Sequence, residues 1–249
     1  MIVLITGATA GFGRVMTQHF VRAGHRVIAA GRRAERLATL HAELGAAIYP
    51  LTLDVTDQVA VKTAFANLPA EWCAVDVLVN NAGLALGMEP AQRASLDDWN
   101  QMVDTNIKGL MTCTHEMLPG MVARNRGHII NLGSSAARWP YPGGNVYGAT
   151  KAFVYQFSLN LRADLLGTAV RVTDVEPGLC SDTEFSNVRF HGDAARAAKV
   201  YEGAEPLNPD DIAETVLWVA SRPAHVNINS IQLMPTCQGF SGLAVHRTK

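Results

Sequence analysis

The chain predicts an α/β fold: a doubly wound parallel sheet of about seven strands with helices on both faces. Two observations carry that expectation. Short apolar runs alternate with amphipathic or alanine-rich stretches along the whole chain. The first run, residues 2–5, is a continuous Ile-Val-Leu-Ile with β-branched character, as a strand buried on both faces reads. The stretches between the runs supply the right-handed crossovers that parallel strands need.

The candidate strands are 2–5, 26–30, 47–53, 75–79, 128–132, 170–175 and 230–234. No repeat, low-complexity block or Pro/Gly/Ser linker interrupts them, which argues for one domain spanning residues 1–249. After the first strand comes Thr6-Gly7-Ala8-Thr9-Ala10-Gly11-Phe12-Gly13. Phe12, Val15, Met16, His19 and Phe20 then repeat at the spacing of one helix face. A glycine-rich turn between strand and helix lets the backbone approach a pyrophosphate, and the helix start favours its charge.

The second strand ends in Gly31-Arg32-Arg33, where an NAD site of this type places an acid for the ribose 2′-hydroxyl. Two guanidinium groups suit a 2′-phosphate instead, because arginine binds phosphate through paired, charge-assisted hydrogen bonds. Cations at a helix start are otherwise badly placed. The expected cofactor is therefore NADP(H). Asp54-Val55 closes the third strand, in position to contact an adenine; Asp54 reads equally well as a helix N-cap.

Tyr147 and Lys151 stand at i and i+4 of a helical stretch and so share a face. A free phenol titrates near 10, too high for acid–base work at neutral pH, and a neighbouring ammonium lowers that value. Such a tyrosine beside a nucleotide exchanges a proton with an alcohol or ketone oxygen. Ser134 precedes the pair, after the fifth strand. Segment 178–203 is polar and glycine-bearing, and follows a strand's carboxyl end, where ligands bind in such sheets. It reads as a substrate loop or lid. Arg189 in it is the candidate for a substrate carboxylate and Asp182 for an ammonium, and Cys180 falls beside this loop. Arg138 offers a second anion contact near Ser134, or faces solvent.

Hydrophobic residues make up 48% of 249 residues, ample for a large core, and the net charge of −1 carries no nucleic-acid footprint. No apolar run reaches membrane-spanning length, and no cleavable leader precedes the first strand, so a cytoplasmic location is the default expectation. Cys73, Cys113, Cys180 and Cys237 are scattered without metal-ligand spacing, so no metal is expected.

Taken together these motifs resemble the short-chain dehydrogenase/reductase family, a Rossmann fold. The match runs through Thr6-Gly7-x-x-x-Gly11-x-Gly13, Asn80-Asn81-Ala82-Gly83, Asn106, Ser134, Tyr147, Lys151 and Pro177-Gly178. The resemblance implies that the loop from Gly7 through Gly13, the segment Asn81-Ala82-Gly83, and Pro177-Gly178 line the cofactor. It also implies a catalytic set of Asn106, Ser134, Tyr147 and Lys151. Asn106, on a helix expected over 97–117, would position a water relay to Lys151. Lys151 would also hold the nicotinamide ribose, and Ser134 the substrate oxygen. Segments 6–12, 84–90, 139–141, 143–153, 156–161 and 184–189 are more narrowly similar to the NADP-dependent 3-hydroxy acid dehydrogenases. These act on serine, L-allo-threonine and 3-hydroxypropionate, and related members reduce sulfoacetaldehyde to isethionate. Arg138 and Asp182 depart from that subgroup's pattern. The resemblance further implies a homotetramer. A non-catalytic nucleotide sensor on the same scaffold would be expected to lose Ser134, Tyr147 or Lys151, and all three are present.

Overall fold

The computed structural model describes residues 1–240. In chain order the elements are β1 (Ile2–Thr6), α1 (Gly11–Arg22), β2 (Arg26–Gly31), α2 (Ala34–Leu44), β3 (Ile48–Thr52), α3 (Gln58–Ala66) and β4 (Val77–Asn80). They continue with α4 (Leu96–Val103), α5 (Leu110–Ala123), β5 (Gly127–Leu132), α6 (Asn145–Asp164) and β6 (Val170–Pro177). The last are α7 (Phe185–Arg189), α8 (Ala194–Lys199), α9 (Pro209–Ala220) and β7 (Ser230–Leu233). The seven strands form one sheet in the order β3-β2-β1-β4-β5-β6-β7, every pair parallel.

Two apolar layers explain the strand sequences. Ile2 and Leu4 of β1 face a core built with Val61 and Phe65 of α3, Met117 of α5 and Leu161 of α6. Val3 and Ile5 point the other way, to Met16 and Phe20 of α1, Leu37 of α2 and Ile212 of α9. Both sides of the strand are covered, so its sequence has no polar alternation. Truncating a core side chain such as Phe20, fully buried, costs about 3–5 kcal/mol.

The order reverses between β1 and β4, which opens a crevice at their carboxyl ends where such sheets bind ligands. Two elements differ from expectation. The helix over 97–117 is longer and interrupted: α4 and α5 are joined by a widened π turn, Asp104–Gly109, that carries Asn106. Polar anchoring of Asn106 and the seating of Gly109 on Val55 accompany that widening; a Cβ on Gly109 would meet the Val55 side chain at 2.9 Å. Segment 178–203 also holds two short helices, α7 and α8, the second capped by Asp193. Elements this short leave no readable periodicity.

Candidate active site

The glycine turn is shaped for close approach. Gly7 has φ +68°, a conformation that disfavours side chains. A Cβ on Gly13 would fall 2.3 Å from the Gly7 carbonyl oxygen, so Gly13 lets α1 pack on the turn and does not line the cleft. No side chain caps α1 at Ala10, which leaves its first amides for an anion. Thr6 and Asn81 tie this turn to the next loop. The Thr6 hydroxyl accepts from the amides of Asn81 and Ala82, each at 3.0 Å. The Asn81 carboxamide donates to the Thr6 carbonyl at 2.8 Å.

A cavity of about 780 Å³ runs along the crevice. One end is lined by Gly7, Thr9, Ala10, Gly11 and Phe12, with Arg32, Arg33, Asp54 and Val55 beside them. Asn81, Ala82 and Gly83 form the middle, and Ser134, Tyr147, Lys151, Pro177 and Gly178 the far wall. Arg189 closes that end. The open amides, the glycine cradle and the guanidinium pair are a donor set that fits a dinucleotide carrying an extra phosphate.

Asn106 lies behind the wall, buried, with its carboxamide fully engaged. Its Oδ1 accepts from Leu84 N at 2.9 Å, and its Nδ2 donates to Leu84 O at 2.8 Å and to Thr150 Oγ1 at 3.1 Å. It therefore fixes the 81–84 segment against α6.

Tyr147 and Lys151 sit on α6, both buried. The expected effect of Lys151 on the phenol is not what the geometry shows. Lys151 Nζ donates to the Leu132 carbonyl at 2.6 Å and lies 5.9 Å from the Tyr147 ring centre. Burial pushes the Tyr147 phenol up to about 12, while the Ser134 hydroxyl and the Arg189 guanidinium pull it down and Tyr141 raises it. Desolvation outweighs the neighbours, and the phenol is protonated at neutral pH. Burial likewise lowers Lys151 to about 8, and Asp174 counters by favouring its ammonium.

Asp174 is an acid that sequence reading passes over, although it stands inside the strand expected over 170–175. It is fully buried, in register with Asn131 of β5. Neither of its carboxylate oxygens has a hydrogen-bond partner among the described residues. Burial and the nearby Glu176 raise it to about 7; Lys151 and Arg138 act against that rise. Beside it, Asn131 accepts from Asn80 at 2.8 Å and donates to Ser158 at 2.8 Å. A polar row thus crosses the sheet behind the site.

Arg138 is exposed, one of the two expectations for it, but its guanidinium is engaged by the protein and not offered as a second anion contact near Ser134. It grips the buried Glu176 with two hydrogen bonds, of 2.6 and 2.7 Å, and stacks on Tyr155. A buried carboxylate requires such a partner, and Arg138 supplies it. Asp182 is exposed, in the left-handed region at φ 56°, and outside the cavity wall, so it does not face the substrate space. Asp54 does not cap α3; Asp57 does, while Asp54 turns onto Thr56 and stands 3.9 Å from Arg32. Cys180 lines the cavity, but burial pushes its thiol up to about 12, which leaves it protonated and unreactive.

Arg189 donates from Nε to the Gly87 carbonyl at 3.2 Å and from a terminal nitrogen to the Tyr141 hydroxyl at 2.6 Å. Its guanidinium lies over both the Tyr141 and Tyr147 rings. Tyr141 and Glu184 also line the cavity and were given no individual role by the sequence; both belong to segments, 139–141 and 184–189, singled out only by resemblance. Among the described residues, no helix is long and apolar enough to cross a membrane.

The pattern of the short chain dehydrogenases matches residues 1–193. The NADP-dependent 3-hydroxy acid dehydrogenase YdfG of Escherichia coli (strain K12) is 62% identical over 247 residues, covering 99% of this chain and 100% of that protein. The serine 3-dehydrogenase of Rhizobium radiobacter is 55% identical over 245 residues, 98% of each. A solved closed form of serine dehydrogenase complexed with NADP+ superposes with a TM-score of 0.98 at 62% identity, covering 100% of both chains. Likeness of this depth extends from one end of the chain to the other, and the chain belongs to the short-chain dehydrogenase family.

Proposed function

We propose that this chain is an NADP(H)-dependent oxidoreductase of short 3-hydroxy acids and their 3-oxo partners, of the serine, L-allo-threonine and 3-hydroxypropionate type. One observation carries the reading. A single cavity presents Ser134, Tyr147 and Lys151 on one wall, Arg189 at the substrate end and Arg32 and Arg33 at the other. The names of the 62% and 55% identical relatives support the same chemistry.

The bound cofactor supplies or accepts the hydride. The chain's own residues handle the oxygen. Ser134 holds the substrate oxygen, a fixed donor aimed where charge develops. Tyr147 gives its phenolic proton to that oxygen in reduction and takes it back in oxidation. The neutral phenol is the donating form. Lys151 holds the ribose through its ammonium. Asn106 acts as a positioning residue for the segment before Leu84. Arg189 pairs with the substrate carboxylate, and segment 178–203 serves as the lid that carries it. Arg32 and Arg33 hold the 2′-phosphate. The homotetramer implied by the resemblance belongs to the same proposal, and the exposed Met111 and Val122 on α5 suit such a contact.

The test is kcat/KM with NADP(H) across serine, L-allo-threonine, 3-hydroxypropionate, isethionate and their carbonyl partners. The 3-hydroxy acids should lead. A sulfonate leading the panel would move the assignment to a sulfonated-aldehyde reductase, which the same Arg189 would serve. No turnover on any member would contradict both.

A further inference from the structure

Glu184 stands immediately before α7 and joins that helix to the end of the cleft lined by Arg32 and Arg33. Its Oε2 accepts from an Arg33 terminal nitrogen at 2.8 Å, and its Oε1 accepts from Arg36 at 2.7 Å. Both arginines belong to the turn and helix after β2, where a 2′-phosphate is expected. Arg33 also donates from Nε and its other terminal nitrogen to the Thr9 hydroxyl, at 3.3 and 3.2 Å. At the other end of the same short helix stands Arg189. Its backbone carbonyl accepts from Gly87 N at 2.8 Å, and its side chain reaches Gly87 and Tyr141. One helical turn therefore carries an acid fastened to the nucleotide side and a cation fastened to the substrate side.

We propose that Glu184 is a specificity-determining residue that couples the cofactor's 2′-phosphate to closure of segment 178–203, and through it to placement of Arg189. This rests on the functional reading above. Two guanidinium groups converge on a single carboxylate, so an excess positive charge remains at the junction. A guanidinium fork has five N–H donors and bridges two anions at once. A 2′-phosphate held by Arg32 and Arg33 neutralises the excess and fixes Arg33 where Glu184 meets it. The lid then closes onto a pre-ordered partner at lower entropic cost. With NAD(H) the arginines lack that second anion, and the closed arrangement loses its advantage. Discrimination between the two cofactors would thus be expressed in substrate binding as well as in cofactor binding.

The experiment is hydrogen exchange of segment 178–203 in the full chain, with saturating NADP+ or NAD+ and no substrate, beside a binding titration. In the wild type NADP+ should slow exchange of this segment by about tenfold more than NAD+ does. Glu184→Gln should still bind NADP+, lose that difference, and raise the KM for a 3-hydroxy acid with NADP+ by about tenfold. Glu184→Asp should recover part of both. Retention of NADP+-specific protection in Glu184→Gln would overturn the proposal. So would faster exchange with NADP+ in the wild type, because the phosphate would then compete with Glu184. A wild type that binds NADP+ with no difference between cofactors would overturn this proposal alone. Failure to bind NADP+ would overturn the cofactor reading, and this one with it.

Discussion

The Arg189 guanidinium carbon lies 5.6 Å from the centre of the Tyr147 ring. The cation that lowers the buried phenol's pKa therefore comes from the segment over the cleft, and the i+4 neighbour Lys151 faces the Leu132 carbonyl instead. With Arg189 as the proposed carboxylate partner, substrate recognition and proton transfer would meet at one side chain.

Arg189→Ala should reduce kcat/KM for 3-hydroxy acids by about 100-fold more than for neutral alcohols, the scale of a lost charge-assisted hydrogen bond; the smaller loss shared by both reports its effect on the Tyr147 phenol. Steady-state kinetics on matched acid and alcohol substrates checks this. A uniform loss across both would assign Arg189 to lid packing.

Replacing Arg32 and Arg33 together with Ala should raise the KM for NADPH by about 10–100-fold and leave that for NADH nearly unchanged. Equal effects on the two cofactors would argue against a 2′-phosphate contact.

Asp174→Asn removes the carboxylate that favours the Lys151 ammonium, among neighbours Glu176 and Arg138. Below about 7, where Asp174 itself is protonated, the substitution should change little. Above it the wild type keeps Lys151 charged up to about 8 with the help of Asp174, and the variant does not. The alkaline limb of kcat/KM for reduction should therefore move to lower pH, with a several-fold loss at pH 8 and little at pH 6. Parallel profiles would reduce Asp174 to a structural residue.

Arg138→Ala leaves the fully buried Glu176 without its main partner. The loss should be about 3 kcal/mol, at the low end for a buried pair because Arg138 is itself partly exposed. In thermal unfolding that corresponds to a drop in Tm of about 6–12 °C.

The fold is legible in the sequence because both faces of strands such as β1 are buried, and uninterrupted apolar runs result. The glycine turn, Arg32 and Arg33 are legible for a related reason: their local residue types are poor choices without a ligand. Glu184 is not, because its partners lie 151 and 148 residues away, and no local pattern marks a pair made across the sheet. Arg138 misleads because an arginine near an active site reads as a substrate contact until Glu176 is seen beside it. The Tyr147–Lys151 spacing correctly puts both residues on one helix but says nothing of burial, and burial dominates the phenol.

The central claim is that Tyr147 is the proton partner of hydride transfer. Tyr147→Phe measures it most directly, with NADPH binding followed by fluorescence and turnover of a 3-oxo acid followed in the same preparation. NADPH affinity should stay close to that of the wild type while kcat falls by about 100- to 10,000-fold. Near-normal turnover in the variant would contradict the account.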